Sequence, residues 1–131
     1  MEKNLDRICE EYGYKLAQKI QDEALLTKSL GVLQEQGLYS FVLYCESIKN
    51  KENKSQNIIK ITKEILKDKL KLIDNGDLLE EIRKENGLAS RLDDLIFAIQ
   101  ILEKSLIYAR YHAKALSKSS TQNANSGENS A

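Results

Sequence analysis

The sequence predicts an all-α protein: a compact multi-helix bundle of about five to six helices with a long C-terminal helix. Apolar residues recur at helical spacing along most of the chain, and no segment alternates as a strand would. The 131 residues include no proline and only 6 glycines, so few positions force a helix to end. A chain of this length is expected to form one domain. We place the helical bundle at 1–118, followed by a polar tail at 119–131.

Three helices are predicted in the N-terminal half. The first covers about 4–21, a short segment covers about 27–36 and ends at Gly37, and a third covers 38–48. Gly37 is a plausible C′ residue. Gly13 interrupts the first helix at a cost of about 1 kcal/mol relative to alanine. The simplest reason for a glycine there is that another helix approaches closely.

Helix-start signals recur in the C-terminal half. Ser55 is the expected N-cap of a helix over 56–72, and Asp77 with Glu80 begins a short helix. Ser90 with Asp93 is expected to cap the last and longest helix, about 91–117. The residues that we predict to face inward on this helix are Leu92, Leu95, Ile96, Ile99, Leu102, Leu106 and Ala113. The tail at 119–131 has almost no apolar residues, so we predict that it is disordered.

Composition limits the compartment and the partners. The 20 lysines and arginines balance 20 aspartates and glutamates, so an electrostatic partner must be met by a local patch. No apolar run approaches the length of a membrane span, and the opening residues are charged. These features predict a soluble, cytoplasmic protein without a membrane partner. Cys9, Cys45 and His112 lie too far apart in the sequence to suggest a zinc site, and we expect both cysteines to be buried as free thiols.

No motif for catalysis is recognisable. Phosphate-binding loops, dinucleotide fingerprints and nucleophile or zinc-protease motifs are missing from the sequence. The acidic pairs Glu10-Glu11, Glu80-Glu81 and Asp93-Asp94 occupy adjacent helix positions, which point about 100° apart and do not converge. We interpret them as solvated surface acids. The sequence therefore predicts a non-enzyme with no catalytic or metal-binding residues, no cofactor and no small-molecule substrate.

Charge is distributed in three tracts. Residues 49–71 contain eight lysines and three acids, residues 74–103 contain eight acids and three basic residues, and residues 104–118 contain basic residues without acids. In the first tract Lys60, Lys63, Lys67 and Lys71 follow one another at i, i+3, i+7 and i+11. In the third, Arg110, Lys114 and Lys118 form a second stripe.

Basic stripes of this kind can follow a phosphate backbone, because each contact releases counterions. Tyr108 and Tyr111 lie beside the second stripe and could stack on a base or simply pack. The candidate RNA-binding residues are Lys60, Lys63, Lys67, Lys71, Lys104, Arg110, Lys114 and Lys118. The alternative is an ordinary solvated lysine face, and spacing alone does not decide between the two.

Four segments carry a resemblance to a known family. They are residues 5–17, residues 32–38 with the following Phe41-Val42-Leu43, residues 76–80, and the closing run 106–116. In this order, they resemble the small subunit of the type III-B CRISPR (Cmr) RNA-guided effector complex. The resemblance covers about residues 4–117. Tyr108 and His112 stand where that family often has other aromatic residues.

The resemblance implies a scaffold rather than a catalyst. Members of that family are helical bundles that stack in several copies, bridge other subunits and present basic surface to guide RNA and target RNA in antiviral defence. Two other functions remain open from the residues alone. One is a generic helical protein–protein interaction module without RNA contact, and the other is a small helical-bundle enzyme.

Overall fold

The computed structural model describes residues 5–48 and 53–130, with side chains described as far as Leu116. Six α-helices and no strand occur in these residues, which confirms the all-α prediction. The helices are α1 (Leu5–Ile20), α2 (Glu23–Gln36), α3 (Leu38–Ser47), α4 (Lys54–Glu64), α5 (Leu78–Arg83) and α6 (Leu92–Ser130). A π-helical turn (Ile65–Lys69) extends α4, and a 3₁₀ turn (Leu88–Ser90) precedes α6. Helix α6 continues to Ser130, so residues 119–130 of the predicted polar tail are helical and the prediction of a disordered tail is wrong there; their side chains lie outside the described ones.

The long helix α6 is the element on which the bundle is built. It packs against α1 and α2, while α1 also contacts α4, and α3 contacts α2, α4 and α5. The largest fully buried side chains come from all six helices and from the two short turns, among them Tyr12, Leu33, Phe41, Ile58 and Leu106. Burying these apolar groups is the main stabilising term of the fold.

Helices α1 and α6 approach each other closely at Gly13. A Cβ atom added at Gly13 would lie 2.5 Å from the Cβ of Tyr108 and 3.0 Å from the backbone oxygen of Ser105. Both atoms belong to the α6 scaffold, so neither can move without moving the helix. The prediction of a close helix approach at this glycine is correct.

Gly13→Ala should therefore destabilise the protein, although alanine is the better helix former. Overpacking typically costs about 1–3 kcal/mol, which outweighs the gain of about 1 kcal/mol in helix propensity. Gly31→Ala is the matched control, because a Cβ at Gly31 in α2 meets nothing within 4 Å. Thermal unfolding should show a lower midpoint for Gly13→Ala and an equal or higher one for Gly31→Ala. Equal increases for both variants would contradict the close contact.

Three predicted helix starts are displaced in the structure. Helix α2 begins at Glu23, where the Asp22 side chain accepts a hydrogen bond from the Leu25 N–H. Ser55 is not the N-cap of α4, since its hydroxyl donates to the Ile48 carbonyl and the helix begins at Lys54. Ser90 likewise donates to the Gly87 carbonyl instead of capping α6. Asp77 does cap α5, by accepting from the Glu80 N–H.

The end of α4 also differs from the prediction. The π-helical turn closes with the Leu70 N–H bonded to the Ile65 carbonyl, and the Leu72 N–H reaches back to the Leu66 carbonyl. Lys71 adopts a left-handed conformation with φ of 56°. The helix therefore stops before Lys71, and this lysine does not continue the stripe of Lys60, Lys63 and Lys67.

The inward face of α6 was partly misassigned from the sequence. Leu102, Leu106 and Ala113 are buried as predicted, but Leu92 is 66% exposed and Ile96 is 46% exposed. Small residues occupy the true core face beside them: Ala98, Ser105 and Ala109 are each 0% exposed. The reason is geometric, because close packing against α1 at Gly13 selects small side chains on α6. Leu92 and Ile96 are left on its outer side.

Candidate nucleic-acid interface

The first basic stripe lies on the outward side of α4 and its π-helical turn. Lys60 is exposed, and Lys63 and Lys67 are half-buried. The Lys63 ammonium donates to the Asn75 carbonyl at 3.4 Å, and the Lys67 ammonium lies 3.0 Å from a carboxylate oxygen of Asp68. Three of the four predicted residues therefore share this surface.

A partly buried hydrogen-bonded group fixes α4 against α1 and so positions this stripe. The Tyr12 hydroxyl donates to Glu64 at 2.7 Å, and the Lys15 ammonium lies 2.9 Å from the same carboxylate. Burial opposes ionisation of Glu64, but the hydrogen bonds from Lys15 and Tyr12 outweigh it and lower its pKa. Burial, together with the hydrogen bond to Glu64, raises the pKa of Tyr12. This pair is a structural tie between two helices.

The second basic stripe borders a groove between α2 and α6. Glu23, Ala24, Thr27, Lys28 and Arg110 line the groove, whose volume is about 570 Å³. The Nε atom of Arg110 is buried and has no hydrogen-bond acceptor among the described residues. Lys114 follows one turn later and is exposed. Two cations, Lys28 and Arg110, therefore meet a threonine hydroxyl and one carboxylate, Glu23, in one open groove. The two cations and the hydroxyl are donors that suit an oxyanion, and they outnumber the one acid.

Lys28 was missed by sequence reasoning. It stands in a stretch of mixed polarity without other basic residues, so no stripe points to it. Only the packing of α2 on α6 brings it to Arg110. Conversely, the structure does not describe the side chain of Lys118, so its predicted place in the stripe lies outside the described residues.

Lys104 is separate from the second stripe. Its ammonium lies 2.5 Å from Asp6 on α1 and 5.8 Å from the ring centre of Tyr108. The Tyr108 hydroxyl donates to the same aspartate at 3.0 Å. The hydrogen bonds from Lys104 and Tyr108 lower the pKa of Asp6. Lys104 and Tyr108 are thus already engaged with Asp6, whereas Tyr111 is 68% exposed.

Glu81 is a buried acid, contrary to the interpretation of Glu80-Glu81 as solvated surface charge. It is 6% exposed, accepts a hydrogen bond from the Asp74 N–H at 2.9 Å, and pairs with Lys84 at 3.2 Å. The hydrogen bond from the Asp74 backbone is the main cause of its lowered pKa, and Lys84 adds to it. The side chain thus anchors the loop between the π-helical turn and α5. The same surroundings include Lys71, Asn86 and Arg91, which line a polar pocket of about 310 Å³ with it.

This arrangement predicts a pH-dependent contribution to stability. A lowered folded-state pKa means that the ionised form is favoured in the folded protein, so the contribution is present above the unfolded value of about 4.3 and lost as pH falls. Glu81→Gln should lower the unfolding midpoint at pH 7, and its difference from wild type should shrink toward pH 3. Glu80→Gln is the control, since Glu80 is exposed and paired only with Arg83 among the described residues. A gap for Glu81→Gln that stays constant with pH would contradict the ionised anchor.

Cys9 and Cys45 are buried free thiols, as predicted, and burial raises the pKa of Cys45 to about 11. Within residues 5–48 and 53–116 there is no group of three histidine, cysteine or acidic side chains that could hold a metal ion. No helix among the described residues is long and apolar enough to cross a membrane.

Comparisons with known proteins do not assign the chain to a family. No family model matches it, and it matches neither a curated protein nor a solved structure.

Proposed function

We propose that this chain is a non-catalytic structural subunit of a type III-B CRISPR ribonucleoprotein effector complex. In this role it stacks in several copies, contacts other subunits, and presents basic surface to guide RNA and target RNA in the cytoplasm. The proposal rests on the order of the four resembling segments and on an all-α bundle with outward basic surfaces. It involves no cofactor, membrane or small-molecule substrate.

The observation that carries the RNA contact is the groove of Lys28, Thr27 and Arg110, continued by Lys114. Arg110 lines this groove and is only half-buried, so its guanidinium group is placed to donate to a phosphate there. The groove is open and lies on the surface, so a strand of phosphates can reach it. The stripe on α4, in which Lys60 is exposed and Lys63 and Lys67 are half-buried, offers a second set of cations.

The overall charge explains why such contacts would need the assembled complex. A chain with net charge of zero provides no long-range attraction for RNA. Binding by the isolated chain is therefore expected to be weak. Other subunits that hold the guide would bring its phosphates to the groove and raise their effective concentration.

Co-purification from the native host tests the proposal. The tagged chain should bring down several larger proteins together with mature guide RNA of defined length, and nuclease treatment should release the RNA but leave the proteins. Protein partners without RNA would support the generic interaction module instead. Hydrolytic activity that survives repurification and is lost with a point variant would overturn the non-catalytic role.

A further inference from the structure

Exposed aromatic rings cluster where α6 passes the C-terminal half of α1. Tyr14 is 50% exposed and Tyr111 is 68% exposed, and Leu116 close by is 50% exposed. The Tyr14 ring meets the exposed ring of His112 edge-on, with the ring centres 5.4 Å apart and the planes at 75°. Single exposed apolar residues are ordinary on a protein surface, whereas apolar groups gathered in one patch mark a binding surface.

The structure separates the two tyrosines that adjoin the second basic stripe. The Tyr108 hydroxyl donates to Asp6, and the Lys104 ammonium lies over the Tyr108 ring, so this ring is already used within the bundle. Tyr111 makes no hydrogen bond and no ring contact with the rest of the described chain. Its ring is therefore free to receive a flat ligand from outside.

Cations and rings share one turn of α6. Arg110 lines the groove with α2, and Lys114 follows it one turn later. Consecutive residues of a helix point about 100° apart. Tyr111 therefore points away from the groove, and His112 points further round, against Tyr14 of α1. From the α2 side to the α1 side, this turn presents cations, then one ring, then a pair of rings.

The charges on the two sides decide which part of a ligand lies where. On the α2 side, Lys28 and Arg110 outnumber Glu23, the one acid of the groove. On the α1 side, the exposed Glu10 stands one turn before Tyr14, so a phosphate is repelled there and an uncharged ring is not. A ligand with anionic groups toward α2 and flat, uncharged rings toward α1 suits both halves.

We infer that an unpaired stretch of RNA crosses α6 at residues 110–114, with its phosphates at Arg110 and Lys114 and a base stacked on Tyr111. The next base lies on the edge-to-face pair of Tyr14 and His112. Stacking on a side chain requires a base that is not already stacked in a duplex, so the site takes single-stranded RNA rather than paired guide and target. The choice of RNA as the ligand rests on the proposed function, to which the site adds the kind of RNA and the residues that hold its bases.

Fluorescence titration at low salt tests the stacking. The chain contains no tryptophan, so Tyr111→Trp places a single indole probe at the site. A single-stranded oligoadenylate should quench this probe, and an RNA duplex of the same length should not. Leu43→Trp is the control, since Leu43 is 48% exposed on α3 and should respond to neither RNA. Equal quenching by single strand and duplex, or no quenching at about 1 mM RNA, would overturn the inference.

Affinity and salt slope separate the rings from the cations. Tyr111→Ala and Tyr14→Ala should each weaken binding of the single strand by about five- to hundredfold, because each removes a stacked base. Neither should change the slope of log affinity against log salt, since stacking releases no counterions. Lys114→Ala should lower the slope instead, and Tyr111→Phe, which keeps the ring, should bind like wild type. Circular dichroism checks that every variant folds.

The same measurements distinguish a failure of the stacking from a failure of the proposed function. If Tyr111→Ala and Tyr14→Ala bind RNA like wild type while Lys114→Ala lowers the slope, the stacking is overturned and the phosphate contact stands. If the single strand stacks on Tyr111 but the chain co-purifies with neither guide RNA nor larger subunits, the stacking stands and the proposed complex is overturned.

Discussion

Leu106→Ala is expected to lower the free energy of unfolding by about 2–5 kcal/mol. Leu106 is 1% exposed on the core face of α6, among the largest fully buried side chains. Its neighbours on this face include Ala109, and α1 lies against the helix at Gly13, so the surrounding backbone has little freedom to collapse into the space. The loss therefore combines the transfer term for the removed methyl groups with a cavity term. Chemical denaturation followed by circular dichroism measures it.

Leu92→Ala is the matched control on the same helix. Leu92 is 66% exposed, so the same chemical change should alter stability by no more than about 0.5 kcal/mol. The pair tests the assignment of the α6 faces directly. Similar losses for both variants would mean that Leu92 packs against something, and a neutral Leu106→Ala would mean that the core lies elsewhere.

The fold class could be read from the sequence because helical periodicity extends over whole segments. Stripes such as Ile58, Ile61, Ile65 and Leu66 are buried as their spacing predicts. The faces of α6 could not be read as reliably, because this helix has apolar residues on two sides. Periodicity finds Leu92 and Ile96 as readily as Leu102 and Leu106. What separates them is the close approach of α1, which favours alanine and serine at the true interface.

The predictions of two N-cap residues were wrong for a different reason. Serine is a good N-cap, yet the hydroxyls of Ser55 and Ser90 satisfy carbonyls of the preceding loop instead. A serine can donate or accept, and the sequence does not show which nearby backbone group is free. Glu81 likewise looks like surface charge until the folded loop brings the Asp74 N–H and Lys84 to it.

In the candidate interface, too, some residues could be predicted from the sequence and others could not. The stripe of Lys60, Lys63 and Lys67 follows from spacing on one helix, so it could be predicted. The partnership of Lys28 with Arg110 depends on how α2 crosses α6, which no local pattern encodes. Lys71 does not continue the stripe because the helix ends before it. The helix ends in a π-helical turn, whose hydrogen-bonded ring contains one residue more than that of an α-helix, and Lys71 then has a φ of 56°.

The triple variant Lys28→Ala, Arg110→Ala, Lys114→Ala should weaken target-RNA capture by the assembled complex, nearly equally for all sequences. Each lost phosphate contact lowers the slope of log affinity against log salt by about 0.7 for single strands and 0.9 for duplexes. Three contacts therefore change the slope by roughly 2–3 units if all are made. Filter binding over a salt series measures both quantities, and native mass spectrometry checks that the complex assembles.

The matched control removes the same charge from another surface. Lys60→Ala, Lys63→Ala, Lys67→Ala also deletes three cations, so it reproduces the change in net charge without touching the groove. A larger slope change for the groove triple would locate the phosphate contacts between α2 and α6, because a non-specific charge effect would be equal for both. If both triple variants assemble normally and keep the RNA affinity and the salt slope of wild type, the basic surfaces are only solvated faces. The RNA contact would then be lost, and the protein–protein interaction module would be the better explanation of the exposed groove.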